Sequence, residues 1–223
     1  MSNDGQLSAV PLFPLPNVVL FPRAVLPLHI FEERYKRMTA DAIAGDRRIA
    51  MALLRPGWEK SYYGRAEIEP VVCVGQILSH EKLSDGKYNF LLQGTTRARV
   101  VRERRHTDLP YRAAELEPID ESDVLEIDLV DQRQRMMSLF DSEIFEKLPA
   151  VQQYRQLLSS ALPTAAVADL LAFNLIEDMN VKQSLLAEGD VCKRVTRIVS
   201  MVEDLCPMLE VAVRRRSRTQ SLN

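Results

Sequence analysis

Few residues in this chain have chemistry to offer, and most fail on their neighbours. Nucleotide hydrolysis needs a glycine-rich loop whose amides cradle phosphate, with a lysine behind it. The only Gly-Lys pair is Gly86-Lys87; Tyr88 follows it where Ser or Thr is needed, and Glu81 stands where the loop's first glycine belongs. Ser84-Asp85-Gly86-Lys87 reads as a hairpin turn instead, since Asp-Gly tolerates the positive φ of a tight turn. His80-Glu81 opens the helical zinc-protease pattern, but position 84 is Ser and the segment reads as strand. His29 lies between Leu28 and Ile30 and reads as a hydrogen-bonded structural histidine; His106 is the third. No Gly-x-Ser-x-Gly elbow occurs. A serine–lysine dyad needs only proximity in space, so sequence leaves it open. Cys73, Cys192 and Cys206 include no Cys-x-x-Cys pair and leave an odd thiol, which fits a reducing compartment. Cys192 and Cys206 fall among helical apolar positions, where cysteine serves as a small hydrophobe. The reading is of a chain without catalytic residues, cofactor or metal.

Two constellations suit binding. Trp58, Tyr62 and Tyr63 crowd one loop beside Pro56 and Gly57, and exposed aromatic rings are efficient anchors for a partner. These three are the candidate peptide-binding residues; the competing reading folds their rings onto the protein's own core. Arg97, Arg99, Arg102, Arg104 and Arg105 line one strand and its end, where they could meet RNA phosphates. Glu103, Glu115 and Glu117 lie close enough to neutralise them across a sheet, so a solvated strand face is the preferred reading.

The element that must position all of this is residues 10 to 31. Pro11, Pro14, Pro16, Pro22 and Pro27 interrupt a string of β-branched and large apolar residues, which excludes a helix and a long central strand. Short extended pieces remain, Val10 to Leu15, Val18 to Phe21 and Ala24 to Ile30, forming the seam of a small β-barrel.

The same string, Pro-Leu-Phe-Pro-Leu-Pro-Asn-Val-Val-Leu-Phe-Pro-Arg-Ala-Val-Leu-Pro-Leu-His-Ile-Phe-Glu-Glu-Arg-Tyr, resembles the opening of the Lon-protease N-terminal (substrate-binding) domain. The resemblance continues through Val74-Gly75-Gln76-Ile77, Ser84 to Lys87, and Leu92-Gln93-Gly94-Thr95-Thr96-Arg97-Ala98-Arg99-Val100. It covers about the first 118 residues well and the later helices only in outline. It implies a PUA-like β part, a fold class also met in RNA-binding modules. It further implies a stand-alone substrate-recognising protein without the family's ATPase and peptidase, the latter being the part that holds the family's dyad. Within the family-like Phe-Glu-x-Arg-Tyr segment, Glu32 and Arg34 are expected to fix the helix entry, Glu32 favourably near the helix N-terminus.

In chain order, Phe31 to Ala44 has helical spacing with Gly45 as its stop. Arg48 to Leu54 is a short apolar run that reads as a buried strand, its length alone leaving a helix open; Val71 to Leu78 reads as another strand, Tyr88 to Gln93 as its antiparallel return, and Arg97 to Arg105 and Tyr111 to Leu116 complete the set. Near Pro118 the composition turns polar, and helices follow. One runs from Ser122 or Asp123 to Leu148, then Ala150 to Leu162, then Thr164 to Leu175 with Thr164 as cap. A short helix opens on the box Asn180-Val181-Lys182-Gln183, and a long one starts at Asp190, with Pro207 kinking or ending it.

The expectation is therefore an α+β protein: a PUA-like, largely antiparallel β-barrel holding one helix over residues 1–118, then a C-terminal helical bundle over 119–223. At 223 residues there is enough chain for a substantial core. Net charge is −2, which gives no global argument for nucleic acid or anionic membrane, and solvated faces account for the mild basic excess before residue 118 and acidic excess after it. The first residues lack a signal peptide's basic start and apolar core, and no apolar run reaches the ~18 residues of a membrane span. The expected role is non-catalytic binding of unfolded or partner polypeptides in the cytoplasm, without nucleotide or membrane. The ligand is expected on the proline-rich ribbons, the aromatic loop and the cleft between the domains. An RNA-binding module is the rival, and a hydrolase with an unrecognised site the third reading.

Overall fold

The computed structural model describes residues 7–104, 108–140 and 149–220. Six strands and six helices are present among them: β1 (Leu7–Leu15), β2 (Val25–Ile30), α1 (Glu33–Ala44), β3 (Arg48–Leu53), β4 (Val71–Lys82), β5 (Tyr88–Glu103), β6 (Arg112–Pro118), α2 (Val130–Leu139), α3 (Pro149–Leu158), α4 (Thr164–Leu175), α5 (Met179–Leu186) and α6 (Val191–Gln220). The protein is α+β. It divides into two compact units, one of residues 1–120 with 178–187, the other of 121–177 with 188–223.

In the first unit the strands lie in the order β2-β5-β4-β3-β1-β6, and β6 also pairs with β5. Pairing thus runs in a circuit from β5 through β4, β3, β1 and β6 back to β5, with β2 as an extra edge strand. Only β1 and β3 pair in parallel; every other pairing is antiparallel. Alternation along each strand sends Val10, Leu12, Ala50, Ala52, Val72, Val74, Ala98, Ala114 and Leu116 into one buried cluster.

Where the sequence predicts two strands, at 88–93 and 97–105, the structure has one strand running through Gly94, with a register shift in its pairing to β4 between Gly94 and Thr96. The glycine does not break the ladder; it admits another piece of chain. The segment through Val19, Leu20 and Phe21 is buried but forms no strand, and it crosses β5 at this point. Arg23 N donates to Gly94 O at 2.7 Å and Gly94 N donates to Ala24 O at 2.9 Å. A Cβ on Gly94 would lie 2.1 Å from Phe21 O. The hairpin turn forms as expected, with Gly86 at φ 81° and Lys87 N donating to Asp85 Oδ1 at 3.1 Å.

Helix α1 starts at Glu33 rather than Phe31, and Phe31 is exposed rather than part of its apolar face. Its side of the sheet is fixed by Tyr35, whose ring centre lies 4.5 Å from that of Phe13. Helix α5 belongs with the strands: Gln183 Nε2 donates to Val71 O at 2.8 Å. Its cap is Asp178, which accepts from the amides of Asn180 and Val181, and not the expected Asn180.

In the second unit α4 and α6 pack on each other, and α2 on α6. The first helix after Pro118 begins at Val130, eight residues past Ser122 and seven past Asp123, after a short 3-10 turn at Glu126–Leu129; the rest of its expected span, 141–148, lies outside the described residues. Thr164 is the first residue of α4 rather than its cap; the Glu126 carboxylate accepts from its amide at 3.0 Å and from its hydroxyl at 2.7 Å. Pro207 lies inside α6 and does not end it. Arg194 is fully buried, its Nε donating to Asp169 at 3.2 Å, one Nη to Glu121 at 2.5 Å and the other to Glu188 O at 2.7 Å. Ser122 is held at the same place, its amide donating to Gly189 O and its hydroxyl accepting from Val191 N.

Candidate functional site

The aromatic loop is built onto the start of α1. Gly57, at φ 88°, turns the chain into a short 3-10 turn, Trp58–Ser61, that Tyr62 and Tyr63 follow. The three rings form an edge-to-face row, Trp58 to Tyr62 at 5.4 Å and Tyr62 to Tyr63 at 5.2 Å. The Arg34 guanidinium sits between two of the protein's rings, 4.5 Å from Tyr35 and 4.7 Å from Tyr62, with Tyr63 at 5.8 Å. Glu32 ties the loop down: Tyr62 Oη donates to its Oε1 at 2.7 Å and Arg34 Nε to its Oε2 at 3.1 Å, while Arg34 Nη1 donates to Tyr62 O at 3.1 Å.

The three candidates therefore differ. Tyr63 is 90% exposed, whereas Trp58 and Tyr62 are half-buried. Burial first, and then the Glu32 carboxylate, push the Tyr62 phenol above its ordinary value, while Arg34 opposes them. Glu32 makes no side-chain cap for α1. Its carboxylate is used on the loop instead, a role that the Phe-Glu-x-Arg-Tyr spacing alone did not reveal, because the partner lies thirty residues on.

A second surface lies beside this one, and one of the proline-rich ribbons on which the sequence places the ligand, the Ala24 to Ile30 piece, supplies its β2 wall. Cross-strand rows on β2, β5 and β4 place Pro27 beside Leu91 and Ser79, and His29 beside Asn89 and Glu81. Together with Leu28, His80 and Phe90 they line a shallow groove of about 410 Å³. Val25, Phe31, Leu78 and Leu91 add exposed apolar area on or near it. Proline within β2 is tolerated because β2 is the sheet's edge. His29 is hydrogen-bonded, Nδ1 lying 2.7 Å from Asn89 Oδ1, but it is exposed rather than buried. Phe31 directly precedes Glu32, so the groove and the aromatic loop both end at the start of α1.

The arginine strand offers no uniform basic face. Arg97 is buried, Arg99 is exposed opposite Glu117, and Arg102 Nη2 donates to both carboxylate oxygens of Glu115, at 2.9 and 3.1 Å. Glu103 is taken by Arg112 and Arg65. Arg105 and His106 lie outside the described residues. Cys73 is buried and Cys192 half-exposed, a correction to the reading of Cys192 as core; the side chain of Cys206 is not described. Among the described residues no group of three or more His, Cys, Asp or Glu is arranged to hold a metal, and no helix is long and apolar enough to cross a membrane.

The first unit thus combines a closed circuit of strands and two helices, α1 and α5, with an anchored aromatic loop and an open apolar groove. The family described as the ATP-dependent protease La (LON) substrate-binding domain matches residues 9–204, and the chain belongs to it. Its relatives include the Lon protease of Desulfosudis oleivorans, 23% identical over 211 residues, and that of Azospirillum brasilense, 28% identical over 221. These alignments cover 94% and 97% of this chain but 26% of each relative, so the chain spans about a quarter of their length. Among solved structures, the Lon N-terminal domain protein of Xanthomonas campestris superposes with a TM-score of 0.62 at 23% identity, covering 87% of this chain and 98% of that one. The N-terminal domain of Mycobacterium avium complex Lon protease gives 0.63 at 14% identity, covering 88% and 98%. At these identities the two structures speak to the fold. The matched family region is the substrate-binding part of Lon and not its peptidase.

Proposed function

We propose that this chain is a non-catalytic, polypeptide-binding protein of the cytoplasm that recognises unfolded or partner chains. Membership of the substrate-binding family carries the reading. The strand circuit supports a small, PUA-like β-barrel over residues 1–118, and the helices after it a helical domain over 119–223, with α5 packing back on the strands. The polypeptide lies on the first unit, along the groove of Pro27 and Leu91 and against Tyr63 and the exposed part of Trp58. Tyr62 holds the loop in place rather than touching the ligand. Apolar grooves with a few fixed polar groups bind extended chains with little ordering of their own side chains.

Fluorescence anisotropy of labelled, chemically unfolded casein tests this reading. Binding is expected, weakened by Tyr63→Ala and by Leu91→Ser, with no casein cleavage and no ATP turnover. Absence of casein binding at any attainable concentration would overturn it, as would turnover that disappears in a point variant.

A further inference from the structure

The second unit carries an exposed apolar surface of its own. Leu125 is 71% exposed, Ile127 73%, and Val130 is exposed beside them. Three anchors hold these side chains outward. Leu129 is buried beneath them, the Glu126 carboxylate is fixed on the first residue of α4, and Leu125 N donates to Asp128 Oδ2 at 3.3 Å. Exposed aliphatic residues on a frayed loop need no explanation; two on a turn anchored from three sides form a surface made in advance.

The exposed charges interleaved in sequence with these residues are of one sign, and the nearby Arg133 is part-buried with its guanidinium spent on the Leu158, Ser160 and Leu162 carbonyls. Between Arg112 and Arg133 the sequence has no Lys or Arg, while Glu121, Asp123, Glu126, Asp128 and Asp131 all fall within it in this unit. Glu121 is engaged by Arg194 and Glu126 by Thr164. Asp123, Asp128 and Asp131 are exposed and interleave in sequence with Leu125, Ile127 and Val130, Asp128 also accepting from the Leu125 amide. Such a rim repels acidic segments and draws basic ones, while the aliphatic centre favours burial.

We propose that Leu125, Ile127 and Val130, rimmed by Asp123, Asp128 and Asp131, form a docking surface for a cationic polypeptide segment that also carries apolar residues. The charge complementarity names the chemistry of the occupant. The site goes beyond the groove reading, since it uses only residues of the second unit.

The test uses the full chain and two labelled synthetic peptides of equal length, one of Lys and Leu, the other of Glu and Leu. The Lys/Leu peptide should bind and the Glu/Leu peptide should bind at least about tenfold more weakly, a gap that narrows as salt is raised. The double variant Leu125→Ser/Ile127→Ser should weaken Lys/Leu binding by about tenfold or more with an unchanged melting temperature, because both side chains are already in water. Asp123→Lys/Asp131→Lys should weaken it too and raise affinity for the Glu/Leu peptide. Tyr63→Ala should leave Lys/Leu binding unchanged, which separates this site from casein capture on the first unit. Equal affinity for the two peptides, or Lys/Leu binding indifferent to both double variants, would overturn the proposal. So would self-association abolished by Leu125→Ser/Ile127→Ser, since the occupant would then be a second copy of this chain.

Discussion

At the scale of single residues, Glu32 decides how the aromatic loop behaves. It holds Tyr62 and Arg34 together, so Tyr63 projects from a fixed base. Tyr62→Phe removes one hydrogen bond to a carboxylate at a half-buried site and should cost about 1 kcal/mol in urea unfolding. Tyr63→Ala should leave stability unchanged within about 0.5 kcal/mol, because its ring is already in solvent. A substantial loss for Tyr63→Ala would mean that the ring packs on the protein, and the loop would cease to be a binding candidate. Tyr111 supplies a pH signature. Burial first, then its hydrogen bond to Asp41 at 2.9 Å, and then the Asp41 charge push its phenol up to about 12, while Arg37 opposes them. An unfolded tyrosine ionises near 10. The stabilisation is complete below that value and is lost as pH rises from about 10 to about 12. Denaturant unfolding at about pH 9 and pH 11.5 should show the native chain losing more stability than Tyr111→Phe; equal losses would remove Tyr111 as the cause.

At the scale of elements, the crossing at Gly94 matters most. Gly94→Ala would press a methyl into the Phe21 carbonyl, so this smallest of substitutions should unfold or grossly destabilise the first unit. A normal melt of that variant would show that the crossing yields. Asp178→Ala should cost about 1 kcal/mol through loss of the α5 cap. These two sites also show what the sequence could and could not reveal. Strand positions were readable because alternation and the Asp85-Gly86 turn are local signals. The continuity of β5 was not, because Gly94 looks like a breaker until the segment lying across it is known. The α5 cap was misplaced by two residues for a similar reason, Asp178 and Asn180 being equally plausible caps in isolation. Of the candidate site, the cluster of Trp58, Tyr62 and Tyr63 was visible, but the division of labour within it was not. That division depends on Glu32 and Arg34, and the groove depends on the lateral register of β2, β5 and β4.

At the scale of the whole molecule, the second unit rests on a buried cation. Arg194→Met leaves Asp169 without its arginine in the interior and should cost about 3–5 kcal/mol, whereas Arg194→Met with Asp169→Leu should recover much of the loss. A melt showing the single variant as stable as the native chain would contradict that account. The path of the chain has a further effect. It passes between the units after residues 120, 177 and 187, because α5 leaves the helices to join the strands and then returns. Neither unit is a continuous run of sequence. A gene that exchanged its 3′ part in one recombination event after codon 120 would lose α5, along with the Gln183 amide that satisfies the Val71 carbonyl. Trading the second unit while keeping α5 would take three matched breakpoints, after residues 120, 177 and 187. The topology thus ties the inheritance of the two units together, and a lineage can remodel either surface by point substitution far more readily than by shuffling.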